Sequence, residues 1–172
     1  MSDQTTAATA PSSIIAKLPL PVITLQQVSS SHPDFLQLSR ELDGFLNTAI
    51  GGEDKREKYK KFNHLDTMDH VVLAYDGQTA IGCAALRRYS GHEVEVKRVF
   101  VRESHRGCGI GGRLLSHLIS QAKSMGFSYM LLETGEFLAA SVHLYRRCGF
   151  CQIDNYGAYK DMPESLCMGR EI

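Results

Sequence analysis

The chain has 172 residues, 43% of them hydrophobic and 22% charged, the size and make-up of one compact domain able to bury about 70% of its unfolded surface. Nineteen basic residues balance nineteen acidic ones, so no overall field draws a polyanion, which argues against a nucleic-acid partner and for a small molecule. No apolar run approaches the roughly 18 residues of a membrane span, and no charged-then-apolar leader opens the chain, so a cytoplasmic protein without a membrane partner is expected.

Residues 1–21 are rich in Thr, Ala, Ser and Pro without periodicity and read as a flexible tail, leaving 22–172 as a single domain. VITLQQV from Val22 is a short strand. Ser31 before Pro33 gives a cap-then-proline helix start, with Phe35, Leu38, Leu42, Phe45 and Leu46 on one face. EDKREKYKKFN, residues 53–63, predicts a charged helix with Tyr59 and Phe62 packed inward.

From His70 the period changes to two. HVVLAY, the turn residues Asp76 and Gly77, TAIGCAALRRY and then HEVEVKRVFV after Ser90 and Gly91 form an antiparallel meander. Ile110, Leu114, Leu115, Leu118, Ile119 and Ala122 recur at helical spacing up to Gly126, and SYMLLE follows as a strand, so a βαβ unit is embedded. A second helix runs from about Glu136 to Arg147 with Gly149 at its end, and FCQIDNYGAY leads to a last strand, SLCMGREI. The result is one α/β domain on a mixed sheet.

The five cysteines (Cys83, Cys108, Cys148, Cys151, Cys167) are scattered and odd in number, and no second CxxC completes a zinc site, so reduced thiols and no metal are expected. The seven histidines show neither metal spacing nor a Ser/His/Asp arrangement; His105 and His143 flank the glycine-rich segment and its later helix.

HRGCGIGGRLL, residues 105–115, sets four glycines at the opening of the first βαβ helix. Each glycine costs a helix interior roughly 1 kcal/mol against alanine. A helix N-terminus carries unpaired N–H groups and the positive end of the macrodipole, and residues without Cβ let a phosphate approach the backbone. Two frames fit. Gly107, Gly109 and Gly112 satisfy GxGxxG, with Glu133 ending a strand 21 residues later, the dinucleotide fingerprint of an oxidoreductase. Against it, five residues (RESHR) separate Val101 from Gly107, the strands before it form a meander, and only 39 residues follow Glu133. The other frame is Arg106-x-x-Gly109-x-Gly111.

In that frame the sequence resembles the GNAT superfamily of acetyl-CoA-dependent N-acetyltransferases, small-molecule type, over about Val22 to Ile172. The resemblance is carried by EVKRVFVRESHRGCGIGGRLL, then LLETG, then SVHLYRRCGF, in the family's usual order. It implies a mixed antiparallel and parallel sheet of six to seven strands with helices on both faces, splayed where the pantetheine arm enters. It further implies that acetyl-CoA is the cosubstrate, with its pyrophosphate on Arg106, Gly107, Cys108, Gly109, Ile110, Gly111 and Gly112, and its pantetheine paired along Val99, Phe100 and Val101. Where many relatives have an asparagine seven residues before the helix tyrosine, this chain has Leu138.

An aliphatic amine is an ammonium at neutral pH, and deprotonating it costs about 4 to 5 kcal/mol. By the resemblance, Glu95 is the base for a direct attack through a tetrahedral intermediate, and Tyr145 protonates the departing thiolate. Strand alternation puts Glu95 on one face with Val99 and Val101, and the alternative for its carboxylate is a surface pair with Lys97 or Arg88. Glu133, Tyr156, Tyr159, Lys97 and Arg98 lie where an acceptor would sit. A small-molecule primary amine is expected, an amino acid before a polyamine or drug amine; a homodimer and a non-catalytic acetyl-CoA sensor stay open.

Overall fold

A computed structural model describes residues 22–52 and 64–172. The expected tail and the expected charged helix at 53–63 lie outside these residues. Among the described residues, seven strands form one sheet: β1 (Ile23–Val28), β2 (His70–Asp76), β3 (Thr79–Arg88), β4 (Glu93–Val101), β5 (Tyr129–Gly135), β6 (Cys151–Gln152) and β7 (Ser165–Glu171), in the order β1-β2-β3-β4-β5-β7-β6. Every pairing is antiparallel except β4 with β5. The meander, the βαβ unit and the terminal strand expected from the sequence are all present.

Helix α1 (Pro33–Ile50) covers one face, with Phe35, Leu38 and Leu42 packed on Val71, Leu73, Cys83, Ala85 and Phe100. Helices α2 (Ile110–Ser124) and α3 (Ala139–Arg147) cover the other, where Leu114, Leu115, Leu118, Val142 and Tyr145 meet Ile81, Leu86, Val94, Met130 and Met168. Each fully buried leucine contributes about 2 kcal/mol relative to exposure, so this two-sided core fixes the sheet on which the cleft is built. No helix among the described residues is long and apolar enough to cross a membrane.

Three local expectations are corrected. The cap of α1 is His32, not Ser31: its Nδ1 accepts the Asp34 N–H at 3.2 Å. Pro33 occupies the first helical position and holds the residue before it in the extended conformation a cap needs, while Ser31 Oγ lies 3.0 Å from Ser29 Oγ. Helix α3 begins at Ala139 rather than near Glu136, because a turn closed by Leu138 N–H on Gly135 O intervenes. The third correction concerns β4. Ala85 pairs with Lys97 but Cys83 pairs with Phe100, so β4 carries one extra residue, and Arg98 sits there at φ 57°. A bulge of this kind inverts side-chain parity. Val94 and Val96 before it, and Val99 and Val101 after it, pack on the α2 side, whereas Phe100 joins the α1 side. Glu95 therefore does not share a face with Val99 and Val101.

Candidate active site

Strands β4 and β5 are paired only over Glu93–Glu95 and Tyr129–Leu131. Beyond that point β4 stays with β3 and β5 stays with β7, and the two halves of the sheet diverge. The gap opens into a cavity of about 680 Å³ bounded by residues 96–101 of β4, the segment 105–112, Glu133 to Gly135 of β5 and the cleft-facing side of α3. Among the described residues, the edge of β4 turned toward β5 has no strand partner there, which presents N–H and C=O groups to an extended ligand as a missing strand would. The bulge is held in place by its neighbours. Arg98 Nη1 donates to Asp43 Oδ1 of α1 at 2.7 Å, and Cys83 Sγ donates to Arg98 O at 3.2 Å. A non-glycine residue in the left-handed region costs roughly 1 to 2 kcal/mol, and such strain recurs at functional sites.

The glycines at the cavity's far end divide the work. Gly107 and Gly109 have φ of 78° and 76°, and Gly109 is the N-cap of α2, with no side chain capping the helix. Gly111 is a packing glycine: a Cβ there would lie 2.9 Å from Leu144 Cδ2, so it lets α3 approach α2. Gly112 faces open space, where a Cβ would meet nothing within 4 Å. Uncapped N–H groups, the helix dipole and absent Cβ atoms together fit a phosphate group. Arg106 ties this loop down, its Nε donating to Val101 O at 2.9 Å and its guanidinium lying 4.7 Å over Phe45. Cys108 is exposed beside it, with Sγ 3.7 Å from Arg106 O. Because Gly112 lies in a helix with free space around it, Gly112→Ala is expected to stabilise the fold by up to about 1 kcal/mol while weakening CoA binding several-fold. Paired thermal melts and calorimetric titrations check both signs; unchanged affinity places the phosphate elsewhere.

At the inner end, Tyr145 lines the cleft, 7% exposed, its ring edge-on to Phe150 at 6.1 Å. Burial raises its phenol above the usual 10, with the charges of Glu133 and Cys148 adding to the effect, so the hydroxyl keeps its proton and remains a donor.

Glu95 lies outside the cleft lining, 0% exposed. Arg87 and Lys97 pair with its carboxylate, and Tyr156 and Tyr159 hydroxyls donate to Oε1 at 2.9 and 3.3 Å. Of the two alternative partners for Glu95, Lys97 pairs with it, buried rather than at the surface, and Arg88 does not, lying 4.6 Å over the Phe127 ring. Lys97 Nζ is 3.0 Å from Tyr159 OH and 3.5 Å from Glu95 Oε1, and Lys97 is among the residues lining the cleft. Burial pushes both tyrosine phenols far above 10, with the Glu95 charge next in importance.

The remaining candidates fall around this point. Glu133 lines the cleft and accepts from Ser165 Oγ at 2.7 Å, and His105, His143 and Leu138 also border it. Sequence reasoning missed Arg87, Phe45 as a rim residue and Phe137. Arg87 was legible in principle, because antiparallel β3 and β4 set it opposite Glu95. Phe45 and Phe137, 39% and 52% exposed, flank the mouth.

The dinucleotide frame fails on this geometry, since the glycine loop leaves a strand whose other neighbour is antiparallel. A family model described as the acetyltransferase (GNAT) family matches residues 36–150. The chain is 32% identical to an IAA acetyltransferase of Azospirillum brasilense over 89% of this chain and all of that protein. It is 30% identical to the streptothricin acetyltransferase of Streptomyces lavendulae over 52% of this chain and 49% of that protein. Among solved structures, the PaiA N-acetyltransferase of Thermoplasma acidophilum, in complex with coenzyme A, superposes with a TM-score of 0.69 at 19% identity over 88% of this chain and 99% of that one.

Proposed function

Because the chain belongs to the GNAT family of acetyltransferases, we propose that it uses acetyl-CoA to acetylate a primary amine of a small molecule, as a cytoplasmic enzyme. The observation that carries this reading is the cleft between diverging β4 and β5, lined by a glycine-rich loop at the uncapped start of α2 and by Tyr145. Acetyl-CoA supplies the electrophilic carbonyl and a thiolate leaving group. Gly107 to Gly112 and Arg106 take the pyrophosphate, and the edge of β4 at Val99, Phe100 and Val101 that diverges from β5 orients the pantetheine amides. The backbone N–H at the Arg98–Val99 bulge is the natural donor to a developing oxyanion. Tyr145 gives its proton to the thiolate, and Glu95 is the base for the acceptor's ammonium proton, acting through one water because it lies outside the cleft lining.

A small acceptor is supported by the relatives named for IAA and streptothricin. Lys97 and Glu133, which both line the cleft, suit an amino acid-like amine. The test is CoA release from acetyl-CoA over a panel of amino acids, polyamines and aminoglycoside-like amines. Release with at least one free amine supports the reading; tight CoA binding without release for any amine favours a sensor instead.

A further inference from the structure

The extra residue of β4 is Arg98, and an arginine has no intrinsic preference for the left-handed φ of 57° that it holds. We propose that Asp43 of α1 is a positioning residue for the reaction, holding the Arg98–Val99 bulge, through the Arg98 guanidinium, in the shape that offers a backbone N–H to the thioester oxygen. The proposal rests on the acetyltransferase reading and names what keeps its oxyanion donor in place.

Three observations carry it. Arg98 and Val99 together occupy the place opposite Ala84, between the Cys83–Phe100 and Ala85–Lys97 pairs, and both line the cleft. The shape of this one step of backbone therefore decides what the cleft wall presents there. Second, Arg98 is tied at both ends. Its Nη1 donates to Asp43 Oδ1 at 2.7 Å, and its carbonyl accepts from Cys83 Sγ at 3.2 Å. Burial pushes the Cys83 thiol up to about 12, so it keeps the proton it donates. The Arg98 side chain is only 6% exposed, so its ion pair is less screened by water than a surface pair.

Third, the tie comes from a helix that forms part of the same wall. Leu42, Phe45, Leu46 and Ile50 of α1 line the cleft, and Asp43 follows Leu42 directly. One turn of helix thus touches both the ligand space and the bulge. Glu41, two residues earlier, accepts from Arg102 Nε and Nη2 at 2.8 and 2.7 Å, just past the end of β4. Helix α1 is fixed to the β4 segment on either side of Val99 to Val101, and of its two ties only Asp43 acts on the bulge itself.

The test compares wild type, Asp43→Ala, Arg98→Ala, Arg98→Gly and the double variant Asp43→Ala with Arg98→Gly. Each is followed by thermal melt, CoA titration, steady-state kinetics with an amine that the wild type acetylates, and the infrared stretch of bound acetyl-CoA labelled with 13C at the thioester carbonyl. Asp43→Ala is expected to lower kcat about ten-fold, part of the 10² to 10³ that one oxyanion donor is worth, and to leave affinity for CoA, which has no thioester oxygen, within about three-fold. Arg98→Ala is expected to lose about thirty-fold or more, because alanine is neither tied nor at ease at φ 57°. Glycine adopts that φ unaided, so Arg98→Gly is expected to stay within about five-fold of wild type. In the Arg98→Gly background Asp43→Ala costs nothing further, as a residue that acts through another requires. The carbonyl stretch, lowered on binding to wild type, returns toward that of free acetyl-CoA in Asp43→Ala and Arg98→Ala and stays low in Arg98→Gly.

Wild-type kcat in Asp43→Ala overturns the proposal. So does Arg98→Gly as impaired as Arg98→Ala, or a carbonyl stretch that is the same in every form, since either makes the pair a support of the fold alone. A rise confined to the acceptor's KM overturns it too, marking Arg98 as an anchor. A wild-type chain that releases no CoA with any amine overturns the acetyltransferase reading, while the carbonyl shifts still decide what Asp43 does.

Discussion

Tyr145→Phe is expected to lower kcat ten-fold or more while leaving the affinity for CoA within about two-fold. The ring is held by burial and by the edge contact with Phe150, so phenylalanine keeps the shape of α3 against the sheet. What is lost is one hydroxyl at the cleft, whose proton is retained because burial and the neighbouring Glu133 charge disfavour the phenolate. General acids are worth about 10² to 10⁴ in rate, and the lower figure here allows for water entering in place of the phenol. Steady-state kinetics together with calorimetric CoA titration separate the two quantities. Unchanged turnover removes Tyr145 from the chemistry, and a parallel loss of affinity assigns it to binding.

How far the sequence reveals this site depends on the physical origin of each feature. The meander, both helices of the α2 and α3 face and the glycine loop are legible because hydrophobic period and turn chemistry are local signals. The β4 bulge is not. No glycine marks it, and Arg98 adopts φ 57° because tertiary partners hold it, Asp43 from α1 and Cys83 from β3. That one extra residue reverses the strand parity that would set Glu95 beside Val99 and Val101. The enclosure of Glu95 is likewise invisible in the sequence, since it depends on Tyr156 and Tyr159 arriving from a segment 61 and 64 residues away. In the glycine cluster, composition alone assigns four residues one purpose. Backbone angles and neighbours separate them into left-handed turns at Gly107 and Gly109, close helix packing at Gly111 and open space at Gly112.

That separation makes Gly109→Val the substitution with the largest expected effect on cosubstrate binding. Gly109 holds φ 76° at the cap of α2, where a β-branched residue is strained even though no atom lies within 4 Å of its Cβ. The cost to the fold is about 2 kcal/mol, a drop of roughly 4 to 8 °C in Tm for a chain of this size. The larger consequence falls on the seat. Relief of the strain turns N–H groups away from the pyrophosphate, and the valine methyls enter the space it would fill, so the affinity for CoA is expected to fall a hundred-fold or more. Acetyl-pantetheine, which lacks the pyrophosphate, provides the internal control. Its turnover is expected to stay within a few-fold of wild type, because Val99 to Val101 and Tyr145 are untouched. Gly111→Val tests the opposite case: its Cβ meets Leu144, so it acts on α2–α3 packing, and both substrates suffer alike. If acetyl-pantetheine is lost together with CoA in Gly109→Val, the loop supports the fold of the cleft and is not the phosphate seat.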